Sequence, residues 1–317
     1  MIEGDDMRYM TVAEAASAWN VSERRVRLLC SAGRIDGATK LGWAWSIPSQ
    51  AKPGDARALR HLKNRTLRTG AQNFQALDRL KSELAALSAS TETGVCKAAT
   101  DHVDDLLLHT MLSTLDPNMT ACEITRILAG DLVPRLNLGT HLAVLNYQEA
   151  IARMREMVEA EGRPSERNAF ELQRILGHHR GDSTGLRFRD PLEVDARPYR
   201  IAHRPLTVSE QMEVLFSQYE GEWRWLHPVV SSTFLFVELY RIKPFVQDSE
   251  ALAWLMCSFH LTASGYQPPI MEAEHLEALG PAVQLSYRRG DCHEVVSLFN
   301  EAVSSGLQLY RQSLGSC

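Results

Sequence analysis

The side chains of this chain that could do chemistry lie in a short segment between two apolar stretches. Lys243 precedes a Pro-Phe pair, and the carboxylates of Asp248 and Glu250 follow within the next seven residues. A lysine whose pKa is lowered by burial can act as a nucleophile. The two nearby carboxylates favour its charged form instead. The sequence therefore predicts an ion-paired lysine rather than a nucleophilic one.

Apolar residues with helical spacing flank this segment on both sides, over residues 234–240 and 252–259. Proline disfavours helix in the residue before it, so Lys243 should lie outside the first helix. Asp248 or Ser249 is of the type that caps the start of a helix, so one of them should cap the second. We therefore predict two buried helices joined by a loop that carries the reactive groups.

The segment resembles the central motif of the Fic family, His-Pro-Phe-x-Asp/Glu-Gly-Asn-Gly-Arg, which lies between two such helices. In that family the His is the general base, the acidic residue holds Mg²⁺, the Gly-Asn-Gly backbone cradles the nucleotide phosphates, and the Arg binds the terminal phosphate. In this chain only Pro244 and Phe245 match. The positions that depart from the motif are Lys243, Gln247, Asp248, Ser249, Glu250 and Ala251.

These departures remove what the chemistry of the family needs. A lysine near its ordinary pKa is protonated at neutral pH and cannot accept a proton. Gln247 lacks the charge that would hold Mg²⁺ well, and Asp248 and Glu250 place carboxylates where phosphates would approach the helix start. We therefore expect no catalytic residue, no cofactor and no metal. The alternative is a Fic-type transferase with altered chemistry, in which Lys243 and Gln247 take other roles.

The composition is that of a globular protein, with 317 residues, 44% hydrophobic and 23% charged. The amino terminus is acidic and polar, and no apolar run approaches the length of a membrane span, so we expect a cytoplasmic protein without a membrane partner. The cysteines and the paired histidines do not indicate a metal site. Six scattered cysteines predict reduced thiols rather than a disulfide framework or a zinc site. His178 and His179 would point about 100° apart on a helix, which favours surface histidines over a metal pair.

Charge is unevenly distributed along the chain. Residues 1–70 contain twelve Lys or Arg and seven Asp or Glu, a net charge of +5. The remainder contains 22 basic and 32 acidic residues, a net charge of −10. A basic amino-terminal segment is thus joined to an acidic body, and this asymmetry indicates nucleic acid as the partner of the basic end.

The first 50 residues predict two helices followed by a hairpin. Thr11 opens a capping box with the glutamate three residues later, which marks the start of the first helix. The second helix should run over residues 22–32 and stop at Gly33. Residues 35–48 alternate apolar and polar side chains around Gly42, a pattern typical of a hairpin. Together these elements predict a small winged helix-turn-helix.

This segment resembles the excisionase or MerR-type DNA-binding fold, because glycines, a tryptophan and a proline fall at the expected offsets: Gly33, Gly37, Gly42, Trp45 and Pro48. The resemblance implies that the start of the second helix enters the major groove and that the wing lies near a phosphate. The DNA-binding residues it implies are Ser22, Glu23, Arg24, Arg25, Arg27 and, on the wing, Lys40. The alternative is that the winged helix binds protein.

The resemblance to the Fic family continues along the body of the chain. Leu145-Asn-Tyr and Leu172-Gln-Arg match helical segments of the family in order and spacing. Residues 116–128 resemble the region of the family's inhibitory helix but lack its Glu. Residues 183–189 resemble the entrance to the flap hairpin, which in active members docks a target segment by strand addition.

We predict a mainly α protein with three parts. These are a winged helix-turn-helix at residues 1–50, a basic linker and helix at 51–100, and a Fic-like helical bundle with a small β-hairpin flap at 101–317. The predicted function is a transcription regulator that binds double-stranded DNA as a homodimer. Its inactive Fic-like domain would serve for oligomerisation or bind a small-molecule or protein effector at its cleft. The alternatives are the transferase with altered chemistry and a protein–protein adaptor.

Overall fold

The computed structural model describes residues 9–19, 21–31, 35, 38–49, 51, 66–178 and 207–315. The chain divides into two compact units, Met1–Asn64 with Asp190–Glu210 and Arg65–Arg189 with Gln211–Cys317. Four predicted features lie outside the described residues: the helix stop at Gly33, most of the basic linker (52–65), His179 and the flap hairpin at 183–189.

The amino-terminal unit contains two helices and a three-stranded antiparallel sheet. The helices are α1 (Val12–Trp19) and α2 (Glu23–Ser31). The strands are β1 (Tyr9–Met10), β2 (Thr39–Leu41) and β3 (Ala44–Pro48), in the order β1-β3-β2. The predicted hairpin is β2–β3, and its turn contains Gly42 at φ +62°, a left-handed conformation that glycine adopts without cost.

Local hydrogen bonds explain where these helices start. The backbone N–H of Thr11 donates to Glu14 Oε2 at 2.7 Å and the N–H of Glu14 donates back to Thr11 Oγ1 at 3.3 Å, which is the predicted capping box. Ser22 precedes α2 rather than opening it, because its Oγ accepts from the N–H of Arg25 as a cap. The apolar faces meet in one small core: Ala15, Ala16, Val26, Leu29, Cys30, Ile35 and Ile47.

The larger unit is built from helices. Their bounds are α3 (Gln75–Ser90), α4 (Thr93–Ser113), α5 (Ala121–Leu128), α6 (Leu138–Glu161), α7 (Glu166–Leu176), α8 (Val208–Gly221, which starts in the other unit), α9 (Pro228–Ile242), α10 (Ser249–Ala263), α11 (Ala273–Arg289) and α12 (His293–Gly315), with a 3₁₀ turn at Trp223–Trp225. Residue 100, where the sequence predicts a domain boundary, lies within α4.

The centre of this unit is the helix pair α9 and α10. Every residue from Val229 to Leu239 is buried, as is nearly all of α10 as far as Phe259. A helix that is apolar on all sides must be covered on all sides. Phe236, Trp254 and Phe299 of α12 pack together with ring centroids 4.9–5.7 Å apart. The prediction of two buried helices joined by a loop is confirmed.

Helix α3 is attached to this centre by a polar and aromatic cluster. The Phe74 ring stacks on His227 with centroids 3.9 Å apart. Asp78 Oδ1 lies 3.1 Å from His227 Nε2 and accepts a hydrogen bond from the Tyr266 hydroxyl. Burial acts to raise the pKa of Asp78, but the hydrogen bonds from Tyr266 and His227 outweigh it and the pKa is lowered. The carboxylate therefore stays charged and holds α3 in place.

Two other expectations concern the chain as a whole. Within the described ranges, none of the helices has the length and apolar content needed to cross a membrane. No disulfide joins any two of the five described cysteines, and Cys30, Cys257 and Cys292 are buried.

Candidate functional site

The loop between α9 and α10 carries the segment that resembles the Fic motif in sequence. Helix α9 ends at Ile242, and Lys243 follows in a left-handed conformation at φ +46°, so its predicted position outside the helix is confirmed. Its N–H donates to Leu239 O at 2.9 Å and closes the last turn. Phe245 is fully buried and meets Phe170 edge to face at 5.5 Å. The Pro-Phe pair thus fixes the path of the loop.

The start of α10 is capped differently from the prediction. Asp248 holds the N-cap position, but at φ +57° its side chain makes no capping hydrogen bond. Its Oδ1 instead accepts from the Tyr147 hydroxyl at 2.8 Å. Ser249 is the first helical residue, and its Oγ accepts from the N–H of Phe245 at 2.9 Å and donates to Phe245 O at 2.8 Å. These bonds tie the loop to itself and to α6.

Lys243 forms the ion pair that the sequence predicts. Its Nζ lies 2.6 Å from Glu250 Oε1, and the two side chains are 33% and 31% exposed. The ammonium group also lies 5.3 Å from the centroid of the Tyr240 ring. The lysine is thus held between a carboxylate and an aromatic ring.

Two residues at this loop were missed by sequence reasoning. Tyr147 of α6 donates to Asp248, and Gln173 of α7 donates from Nε2 to the backbone oxygen of Gln247 at 3.0 Å. The only signal in the sequence was indirect, because both residues lie in the segments that resemble Fic helices. The structure brings those two segments to the same loop.

The arrangement leaves little for an outside anion to bind. Asp248 and Glu250 place two carboxylates at the first turn of α10, where the helix dipole and free N–H groups would otherwise attract a phosphate. The side chain of Ala251 is buried and carries no hydrogen-bond donor. Among the side chains that the structure describes, no group of three His, Cys, Asp or Glu residues is placed to hold a metal ion.

The predicted DNA-binding residues are at the surface of the amino-terminal unit. Ser22, Glu23, Arg24, Arg25 and Arg27 are all exposed, at or just before the start of α2. Arg27 pairs with Glu23 at 2.6 Å, so part of its charge is already balanced.

The hairpin of this unit carries the predicted wing residue. Lys40 is exposed on β2 and is paired in register with Trp45 on β3. Trp43 at the hairpin turn is 94% exposed, and Leu41 beside it is 66% exposed. The hairpin tip thus presents apolar surface next to the lysine.

No family model matches the chain, and no curated protein matches it. Solved structures do resemble it. Fic-1 from C. elegans matches with a TM-score of 0.63 at 15% identity, covering 82% of this chain and 72% of that one. A Fic-domain-containing signaling protein from Bacteroides thetaiotaomicron matches with a TM-score of 0.60 at 14% identity, covering 74% of this chain and 97% of that one. A Fic family protein from Desulfovibrio desulfuricans matches with a TM-score of 0.54 at 13% identity, covering 78% of this chain and 77% of that one. The chain therefore has the fold of Fic-domain proteins.

Proposed function

We propose that this chain is a divergent Fic protein that has lost its catalytic chemistry and acts as a DNA-binding transcription regulator. The amino-terminal unit would be a winged helix-turn-helix that binds double-stranded DNA. The Fic-like body would serve as an oligomerisation or effector-binding platform. The two halves of the proposal have separate support and are tested separately.

The Lys243–Glu250 ion pair at 2.6 Å is the observation that supports the loss of catalysis. A general base needs a free lone pair, and an ammonium group beside a carboxylate has none. The conformation of Asp248 supports the alignment of residues 243–251 with the Fic motif. Asp248 stands at a motif glycine and adopts φ +57°, the left-handed region that glycine favours.

The nucleotide and Mg²⁺ of the family do not fit the residues present. Gln247 replaces the acidic ligand, and its backbone oxygen accepts a hydrogen bond from Gln173. A neutral amide is a weaker Mg²⁺ ligand than a carboxylate. Asp248 and Glu250 would repel the phosphates at the helix start.

A labelling assay tests the loss of catalysis. The purified protein, incubated with Mg²⁺ and labelled ATP, GTP, CTP or UTP, should modify neither itself nor proteins of a lysate. Mg-ATP should also leave its melting temperature nearly unchanged. Label transfer that disappears in a Lys243→Ala variant would show that the site is an active transferase and would overturn this half of the proposal.

The exposed basic start of α2 supports DNA binding. Arg24 and Arg25 are exposed next to a two-helix core and a β-hairpin, the arrangement in which a recognition helix enters the major groove. Arg24 and Arg25 have no ion-pair partner among the side chains that the structure describes, whereas Arg27 is paired with Glu23. Arg24 and Arg25 are therefore the guanidinium groups most available to DNA.

Retention of genomic DNA fragments by the full-length protein at low salt tests this half. Arg25→Ala should weaken binding by about 1–3 kcal/mol if Arg25 reads a base edge. Arg27→Ala should weaken it less, because Arg27 is paired in the free protein. Arg174→Ala, on an exposed position of α7, is the control and should have no effect. Equal losses for Arg25→Ala and Arg174→Ala would contradict the assignment.

The apolar hairpin tip favours one alternative, a protein–protein adaptor. Trp43 and Leu41 are both large, apolar and more than half exposed, and exposed apolar patches often mark protein interfaces. If the full-length protein retains no genomic fragment at low salt, the amino-terminal unit is better explained as a protein-binding surface.

A further inference from the structure

A pocket of about 420 Å³ lies in the helical unit, far from the motif loop. It is bounded by Tyr219 of α8, Pro228 at the start of α9, His260 near the end of α10, and the turn at Gly162–Ser165. The motif loop joins the opposite ends of α9 and α10. Since α9 has 15 residues, the two sites are separated by about 22 Å. The volume is within the range of small-molecule sites, about 300–1,000 Å³.

Partly buried hydrogen bonds link Tyr219, His260 and Ser231 at the floor of the pocket. His260 Nδ1 lies 2.6 Å from the Tyr219 hydroxyl, and His260 Nε2 lies 2.8 Å from Ser231 Oγ. Burial, with the nearby charge of Arg163, lowers the pKa of His260 to about 4. Burial also raises the pKa of Tyr219. Both groups are therefore neutral at pH 7, and the floor offers hydrogen bonds without charge.

The mouth of the pocket carries two arginines. Arg163 and Arg224 line it together with one acid, Glu220, so cations outnumber anions. The Arg224 guanidinium lies 4.6 Å from the Trp225 ring centroid, a stacking that orients it. Neither arginine has an ion-pair partner within 4.0 Å among the side chains that the structure describes. Guanidinium groups bind carboxylates and phosphates through paired hydrogen bonds, so an anionic group suits this mouth.

Apolar side chains complete the wall. Pro164, Leu226, Pro228 and Ala263 also line the pocket. A ligand that fills the pocket would therefore meet the exposed arginines, apolar surface and the Tyr219 hydroxyl. Ligand sites usually combine a mainly apolar wall with a few placed polar groups.

We propose that this pocket binds a small organic anion, a carboxylate or phosphate ester with an apolar body. The anionic group lies between Arg163 and Arg224, and the apolar body contacts Pro164 and Leu226 towards Tyr219. The site uses none of the motif residues and none of the residues proposed to contact DNA. The proposed binding of an anion therefore does not depend on whether the chain binds DNA or transfers nucleotides.

Calorimetric titration of the full-length protein tests the proposal. The probes are phenyl phosphate and benzoate, which share an aromatic body and differ in the anion, with uncharged benzyl alcohol as the control ligand. We expect at least one of the two anions to bind and benzyl alcohol to bind at least tenfold more weakly. The stronger of the two anions shows whether the natural ligand is a phosphate ester or a carboxylate.

Matched variants locate the binding. Arg163→Gln and Arg224→Gln should each lower the affinity for the anion by roughly tenfold or more. This is the loss expected when one charge-assisted interaction is removed. Both arginines are exposed, so the variants should fold, which circular dichroism checks. Arg174→Gln is the control and should bind as the wild type does. The proposal is overturned if neither anion binds, if benzyl alcohol binds equally well, or if both pocket variants retain wild-type affinity.

Discussion

The charged side chains of the motif loop already have partners within the protein. Lys243 is paired with Glu250, and Asp248 accepts a hydrogen bond from Tyr147. An incoming phosphate would compete with Glu250 for the only cation of the motif and would meet the charge of Asp248. These internal contacts oppose the binding that a Fic-type reaction requires.

The ion pair should contribute modestly to stability. Glu250→Gln removes the charge that balances Lys243, and both side chains are about one-third exposed. We expect the free energy of unfolding to fall by about 0.5–1 kcal/mol, the range for partly exposed pairs. Urea unfolding measures it, with Glu277→Gln on an exposed position of α11 as the control. A loss no larger than that of the control would mean that the pair is not formed in solution.

Protonation of His260 should make the protein sensitive to mild acid. Its pKa is about 4 in the folded chain and near 6.5 when unfolded, so the unfolded chain binds more protons between these values. Stability should therefore fall as the pH drops from about 6.5 towards 4, approaching about 1.4 kcal/mol per pH unit inside that window. The full contribution of this one group is about 3 kcal/mol.

A comparison of how the free energy of unfolding changes with pH in two proteins isolates the contribution of His260. Urea unfolding of the wild type and of His260→Asn is measured from about pH 7 to about pH 5. The variant lacks the titrating ring, so its stability should decline less steeply, whatever its absolute value. His227 titrates in the same direction and remains in both proteins, so it cancels. Parallel curves would show that His260 is not buried in its neutral form.

At the scale of elements, local patterns predicted where helices and turns lie, but not what contacts them. The hairpin at Gly42 and the helices on either side of Lys243 follow from periodicity and from proline and glycine. The two-residue strand β1 is too short to show alternation, and its pairing with β3 joins residues that are distant in the chain.

The contacts at the two sites join residues that are distant in the chain. Asp248 and Tyr147 are 101 positions apart, and Tyr219 and His260 are 41 apart. Such pairs are set by how the helices pack, and neither the residue types nor their spacing in one sequence encodes them. The motif loop could therefore be located from the sequence, whereas the pocket could not.

One helix contact depends on a missing side chain. Gly306 of α12 lies against the Pro268 carbonyl, and an added Cβ would be well inside van der Waals distance of that oxygen. Gly306→Ala should therefore destabilise the protein by about 2–3 kcal/mol, since backbone must move to relieve the clash. Thermal unfolding measures the change.

The control for Gly306→Ala is a glycine where an added Cβ should do no harm. Gly94→Ala, in the first turn of α4, adds a Cβ with no close neighbour other than the flexible Glu92 side chain. It should be neutral or stabilise by up to about 1 kcal/mol, because alanine loses less conformational entropy than glycine. Similar changes for the two variants would show that α12 does not approach Pro268 so closely.

At the scale of the whole molecule, the distribution of charge limits how DNA can be bound. The chain has a net charge of −5, which is the sum of +5 over its first 70 residues and −10 over the remainder. One helix-turn-helix buries little area, and such modules usually bind paired half-sites as dimers. We therefore expect a homodimer, and light scattering after size exclusion should give twice the mass of one chain.

The salt dependence of DNA binding tests both expectations together. Arg24, Arg25 and Lys40 of each protomer would displace condensed counterions, whereas Arg27 is partly neutralised by Glu23. A dimer with six such contacts predicts a slope of about −5 for log K against log salt, and a monomer about −3. Arg25→Ala should reduce the dimer slope by about 2, because it removes one contact in each protomer. A footprint of two half-sites about 10 base pairs apart should accompany the steeper slope. A slope near zero, or a slope and an affinity that Arg25→Ala leaves both unchanged, would remove Arg25 at the start of α2 from the DNA interface.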